Sequence, residues 1–420
     1  MHLATNLNCY IRTGELKKLQ VIVEELKAAR DVTVADGGQE PGANTTHPFI
    51  DSVVDALSLE VMSRHDPCQA GALSTDAIHR VQANIQKHPD RRDIHLLHIG
   101  LLFDMLFTHC ELQWQQARYF EMGVSISQML TLFGAYTPQL EPTRFFNFYL
   151  AQAHALCAKY AFAIGATGEG QAHVQAILQS CLPAIRPDDN AYPVRYIRLW
   201  VDLIDSVMYC SPTNLGDHSS ASSTSVKQVL PSVVQLNVAA QLLSANNLYT
   251  VVHDCGNEEL RAKYDLLVCK WLWATQELRL ESATNIHTLQ SHGWLEQQRP
   301  EVLRMLQDTL QLVSTRVNCT AATADTMALF GSQLIGAGQL ESGEETLKNA
   351  IRLGIYAKNV VLQSRLLVDV FRLYGLRHLV QAQVTTAEKY EKKIAQLHRR
   401  VTQARADTAT SAAVLTWSRR

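Results

Sequence analysis

The stretch that most constrains this chain is Met327 to Leu353, MALFGSQLIGAGQLESGEETLKNAIRL. It reads as two helices joined by a turn. Met327, Phe330, Gly331 and Leu334 fall at helical spacing, and Gly343, Leu347 and Ala350 take up that spacing again after a break. Gly331 and Gly343 have no bulky side chain, so two antiparallel helices can approach closely there while Leu334, Leu347 and Ile351 fill the seam. Gly338 falls where the first helix must end in a left-handed conformation. A helix pair of this kind cannot bury its apolar face alone, so neighbours must stack on it.

The spacing fits, loosely but in register, the tetratricopeptide pattern W-x2-L-G-x2-Y followed by A-x3-F. The same offsets recur at the N-terminus, where Leu3, Tyr10, Gly14, Leu19, Val23 and Leu26 match Met327, Leu334, Gly338, Gly343, Leu347 and Ala350. Two copies at opposite ends predict an all-α fold, a tetratricopeptide-like solenoid of helical hairpins wound as a right-handed superhelix. Met1 falls inside the first helix of its repeat, with no capping residue before it. Solenoid ends are normally capped, so earlier repeats are expected to be missing, or the first helix to dock on another chain.

Composition matters for what it excludes. With 420 residues, 47% hydrophobic and 19% charged, and a net charge of -2, the chain can bury a long core and has no global attraction for nucleic acid. Nine scattered cysteines, never as C-x2-C, read as reduced core thiols of the cytosol or nucleus. The least charged run, Phe146 to Gly170, carries Gln152, His154 and Lys159, which makes it a core helix rather than a membrane span.

In chain order, an N-terminal hairpin covers 1–30 and a Gly-rich mobile loop 31–47. Helical repeats cover 48–210, with helices expected at 92–109 and 112–132 and a long one at 142–164 closed by GATGEG. A low-complexity loop of small and hydroxylated residues occupies 211–225. Helical repeats resume over 226–405 and end in a long helix, followed by a tail at 406–420. Trp271 and Trp273 cannot share a helix face, so one of them is expected at the surface, a hint of an interface.

Constellations that could carry chemistry are weak. His95 and His98 with His109 and Cys110 offer zinc ligands, but lack a second pair at set spacing. Asp188 and Asp189 resemble the acidic motif of helical terpenoid synthases only superficially and read as a helix N-cap. Gly165, Gly168 and Gly170 join two helices without a preceding strand or a phosphate-binding Lys, so they form a turn. No catalytic residue, metal or cofactor is expected, and the chain reads as a non-enzyme. Lys389, Lys392, Lys393, Arg399, Arg400 and Arg405, with Arg419 and Arg420, form the one local basic excess; it reads as a solvated helix face or an auxiliary nucleic-acid contact.

From Met327 onward, a repeat hairpin leads into the helix Val361 to Tyr374, a long helix and a tail closing on Leu415-Thr416-Trp417. This run resembles the C-terminal part of the cohesin loading factor family, the repeat-built smaller subunit of the cohesin loader. Ala151-Gln152-Ala153-His154-Ala155-Leu156 is similar to an internal repeat of that family. The resemblance covers about half the chain and rests on soft motifs; the chain is short for the family and carries the insertions at 31–47 and 211–225. It implies a nuclear, chromatin-associated scaffold, possible also in the cytoplasm, without a membrane partner. Such a scaffold wraps the extended N-terminal segment of the large HEAT-repeat loader subunit, and meets cohesin and chromatin indirectly. In the two clear repeats the first helix lines the concave side, and by helix face the groove-facing candidates are Asn8, Ile11, Arg12, Asp325, Ser332 and Ile335. Other classes fit the same architecture: a scaffold subunit of a ubiquitin-ligase or lid-type assembly, a helical regulatory domain of a transcription factor, or a helical enzyme.

Overall fold

The computed structural model describes residues 13–36, 48–87, 92–143, 145–181, 193–208, 230–281, 297 and 301–417. Among them are seventeen α-helices and no strand, so the fold is all-α. In order these are α1 (Leu16–Asp36), α2 (Pro48–His65), α3 (Pro67–Lys87), α4 (Arg92–Gln115), α5 (Tyr119–Leu140), α6 (Phe146–Ile164), α7 (Thr167–Ala176), α8 (Pro193–Val207) and α9 (Val233–Ser244). There follow α10 (Leu248–Asp254), α11 (Glu258–Glu281), α12 (Val302–Leu312), α13 (Thr320–Gly336), α14 (Leu340–Tyr356), α15 (Val360–Leu376), α16 (Val380–Ala406) and α17 (Thr408–Leu415). Short π-helical turns extend α7 (Ile177–Cys181) and α12 (Val313–Val317).

One turn is used repeatedly. Gly338, Lys358 and His378 take positive φ (80°, 53° and 56°) at the ends of α13, α14 and α15. In each case the next residue donates its N–H five residues back: Gln339 to the Leu334 carbonyl (2.9 Å), Asn359 to Gly354 (3.0 Å) and Leu379 to Tyr374 (2.9 Å). This is the Schellman closure, which satisfies carbonyls that the helix end leaves open. Ala117 and Gly165 close α4 and α6 in the same way. The sequence reading ended α4 near 109 and began the next helix at 112. In the structure α4 runs on to Gln115, because the turn is made by Ala117, a residue that gives no breaker signal.

The hairpin α13–α14 packs as its glycines require. A Cβ on Gly343 would lie 2.7 Å from Ile335 Cγ1 and 3.1 Å from the Gly331 carbonyl, and one on Gly331 would lie 2.9 Å from Leu347 Cδ2. Leu347 and Ala350 are fully buried in the seam, with Leu334 nearly so and Ile351 packed at its edge. Gly336, on the same helix, faces open space with an ordinary φ.

The two ends of the chain do not simply stack on their neighbours. α1 packs on α2 and on the turn at Val313–Val317. Gly14, at φ +71°, lets the chain pass the start of α11, where a Cβ would meet Asn257 Oδ1 at 2.6 Å. At the other end α16 and α17 turn back across α5 and α6. Thr386, Ala387, Tyr390, Ile394, Leu397, Val401 and Ala404 make the buried stripe of α16. Arg400 donates to the Gln116 and Ala117 carbonyls at the end of α4, and Arg405 Nε donates to the Ile164 carbonyl at the end of α6 (2.6 Å). Two residues of the basic run are thus helix C-caps. Part of the 406–420 stretch is helical: α17 is held by the Tyr160–Ser411 hydroxyl contact (2.8 Å), and Trp417 beyond it lies on His154 with ring centroids 4.6 Å apart.

Trp271 and Trp273 are both buried, contrary to the expectation that one is exposed. α11 packs on α8, α9, α10, α12 and α13, so both indoles find neighbours although they face different ways. The Trp271 indole donates to the Leu236 carbonyl (2.8 Å), and the Trp273 ring carries the Arg365 guanidinium 5.5 Å from its centre.

A buried ionic cluster joins α2, α8 and α11. Glu259, 1% exposed, accepts from Arg64 Nε (2.8 Å) and Arg198 Nη2 (3.0 Å), with Lys263 Nζ at 3.0 Å, and Glu60 also meets both arginines. Burial alone would raise the Glu259 carboxyl, but Arg64, Lys263 and Arg198 hold it well below the usual carboxylate range.

Three substitutions test this packing. Gly343→Ala is expected to lower stability by about 1–3 kcal/mol by overpacking the α13–α14 seam, whereas Gly336→Ala is neutral or stabilising by about 0.5 kcal/mol. Glu259→Gln removes the one anion shared by Arg64, Arg198 and Lys263, leaves Glu60 alone to face both arginines, and is expected to cost about 3 kcal/mol. Urea unfolding of the full chain measures all three.

Candidate partner-binding surfaces

Asn8, Ile11 and Arg12 lie outside the described residues. The other three candidates fall on α13, on two different faces. Asp325 sits between Lys270 Nζ of α11 (2.8 Å) and Arg365 Nη2 of α15 (3.1 Å), with its side chain 19% exposed. Ser332, two turns along, donates to Asp369 Oδ1 of α15 (3.4 Å). Ile335 instead packs toward Gly343 in the α13–α14 seam. The structure therefore brings Asp325 and Ser332 together on one polar seam and turns Ile335 away from it.

That seam runs across α8, α11, α13 and α15. Lys270 also approaches Asp205 (3.9 Å), and Arg372 pairs with Glu277 (2.7 Å). Around Asp325, burial is outweighed by Lys270 and Arg365, and the carboxyl is held below its ordinary value. Asp369 behaves oppositely: burial pushes it up to about 7, against the pull of Arg365 and Arg372 and with Glu277 adding to the rise. Every polar group assigned to the seam by helix face has an intramolecular partner, supplied by helices that the sequence of α13 does not reveal.

A second surface has the opposite character. α15 forms the floor, and α14 and α16 the walls, of a cleft of about 960 Å³. Leu367, Val370 and Tyr374 line the floor; Ile351 and Ile355 line one wall; Leu379, Val380, Lys389 and Lys393 line the other. Ile355 is 59% exposed, Leu379 46% and Val380 68%. Leu379 and Val380 continue the register of the buried α16 stripe, seven residues before Thr386 and Ala387, yet stay exposed, because the stripe's cover does not reach the start of the helix.

The remaining constellations are occupied by the fold. His109 contacts Ser74 Oγ through Nδ1 (2.7 Å) and Gln113 Nε2 through Nε2 (2.9 Å), and burial lowers it to about 4, so it is neutral. Among the described residues no group of three His, Cys, Asp or Glu could hold a metal ion. Burial raises the thiols of Cys110, Cys157 and Cys269, which keeps them protonated. The Asp188–Asp189 pair lies outside the described residues. No helix among the described residues is long and apolar enough to cross a membrane.

The chain matches no protein-family model and no curated protein sequence.

The seam makes stability pH-dependent in a defined direction. Because the folded Asp369 carboxyl binds its proton more tightly than the ordinary 3.8, its contribution is complete below that value and is lost as pH rises through about 7. Stability is expected to fall between about pH 5 and about pH 8 by an amount of the order of 2 kcal/mol, and Asp369→Asn to remove that part of the slope. Thermal unfolding of both proteins across this range is the measurement.

Proposed function

We propose that the chain is a non-catalytic helical-repeat scaffold that holds an extended segment of a large partner, and that its task is loading cohesin onto chromatin for sister-chromatid cohesion. The observation that carries the scaffold reading is the regularity of α13, α14 and α15. Each is a seventeen-residue helix, and their closing turns fall at positions 338, 358 and 378 with the same hydrogen-bond pattern. Equal helices joined by equal turns stack with a constant rotation, and such stacking generates a curved array with an inner face. On this reading the array is tetratricopeptide-like and the seam through Asp325 and Ser332 borders the inner face. Its ion pairs could be exchanged for contacts to a polar peptide. The cohesin assignment rests on the sequence resemblance from Met327 to Trp417 and on Ala151 to Leu156. The partner is then the N-terminal segment of the HEAT-repeat loader subunit, with cohesin and chromatin met indirectly, in the nucleus.

A second reading is favoured by one observation. The turns recur every twenty residues, so a helix pair spans forty (338 to 378), where the tetratricopeptide unit has about 34 and HEAT-type units about 40–47. That spacing suits a scaffold subunit of another multiprotein assembly equally well.

Affinity purification of the tagged full-length protein from nuclear extract, followed by mass spectrometry, separates the two. Stoichiometric recovery of one very large HEAT-repeat protein, with cohesin subunits below stoichiometry, is the expected result. Recovery of a different assembly, or of the chain alone, would overturn the cohesin assignment and leave the all-α fold untouched.

A further inference from the structure

The α14–α15–α16 cleft presents a combination that nothing in the fold consumes. Ile351 and Ile355 on one wall, Leu367, Val370 and Tyr374 on the floor and Leu379 and Val380 on the other wall give it an apolar lining, edged on α16 by Gln381, Thr385 and Thr386, and none of its lining residues is an Asp or Glu, in a chain that has 40 of them. Its charged lining residues are Lys389 and Lys393, one turn apart on α16, and neither has a carboxylate within ion-pair distance among the described residues. The start of α16 lies in the same wall. Its N-cap is Leu379, which supplies no side-chain acceptor, so the first N–H groups of a 27-residue helix point their positive end at the cleft mouth. Acidic groups spread along that wall would meet the helix start at one end and, about 13 to 20 Å further along the axis, the two ammonium groups.

The walls also dictate the form of the occupant. They are helices whose backbone groups bond within themselves, so they offer no row of main-chain donors and acceptors to an extended strand. An α-helix satisfies its own backbone and presents such a cleft with side chains alone. A helix of about 10–12 Å diameter fills 960 Å³ with about two turns.

We infer that this cleft is a docking site for a short amphipathic helix of a partner protein, with apolar side chains set on Leu367, Val370, Leu379 and Val380 and acidic residues turned toward Lys389 and Lys393. The site lies on a different face from the polar seam and uses a different binding mode, so it stands whether or not the partner is a cohesin loader.

The test is selection from a displayed library of randomised peptides of about sixteen residues against the full chain. Val380→Asp serves as counter-target: Val380 is 68% exposed and opens a helix, where Asp is favourable, so the substitution leaves the fold intact by circular dichroism. Peptides preferring the unsubstituted protein are expected to carry apolar residues at i, i+3 or i+4, and i+7, with Asp or Glu flanking them. Synthetic copies are expected to bind about tenfold more weakly to the Lys389→Glu, Lys393→Glu protein, and to lose binding when proline is placed at their centre. The inference is overturned if no peptide prefers the unsubstituted protein, if the selected peptides lack acidic bias, or if they tolerate the central proline. It is also overturned if Val380→Asp dissociates a dimer of the chain in light scattering. Binding of phosphatidylserine vesicles or of an oligonucleotide through Lys389 and Lys393, with no peptide selected, would overturn it as well.

Discussion

The structure depends on one buried anion. Glu259 opens α11 and gathers Arg64 from α2 and Arg198 from α8, residues separated from it by 195 and 61 positions. Desolvating a carboxylate is costly unless cations surround it, and a cation buried without its anion is no better off. Each helix that contributes a charge is therefore held in one register relative to the other two, since sliding by a turn would strand a charge. Asn257 caps the same helix end through the Leu260 N–H (2.9 Å), and Gly14 passes over it, so the start of α11 fixes the N-terminal, middle and later segments together. Apolar packing supplies most of the stability of such a fold, but it is tolerant of small shifts. The ion cluster specifies which shift is adopted.

What could be read from the sequence follows from whether a structural demand is local. The demand at Gly338 is local: a left-handed residue closing a helix selects glycine, and its φ of +80° is what its place in the repeat requires. The close approach at Gly331 and Gly343 is legible for the same reason. Ala117, Lys358 and His378 meet the same left-handed demand without glycine. There the hydrogen bonds of the turn offset the strain, with Ala117 also buried, so no residue type marks the site, and the end of α4 lies several residues beyond its expected place.

The candidate surfaces divide along the same line. Helix-face reasoning grouped Asp325 with Ser332, and the two do share a seam. What it could not see is that Lys270, Arg365 and Asp369 arrive from α11 and α15 to meet them. Partners that lie 37 to 55 residues away leave no mark on the periodicity of α13. The burial of both Trp271 and Trp273 has the same origin. A two-residue offset proves that they face different ways, but α11 has neighbours in both directions.

The basic run of α16 shows how one composition signal can divide into separate roles. Read as a whole it suggested a solvated or phosphate-facing helix. In the fold, its C-terminal arginines are placed by the stripe from Tyr390 to Ala404 so that Arg400 and Arg405 reach the carbonyl ends of α4 and α6. Those contacts anchor the returning helix over the centre of the chain. Lys389 and Lys393 lie on the opposite side of the same anchoring. Holding the C-terminal half of α16 against α5 and α6 projects its N-terminal half over α15 as a wall, with the apolar residues before the stripe left uncovered. The feature that closes the fold at one end of α16 thus creates the open cleft at the other.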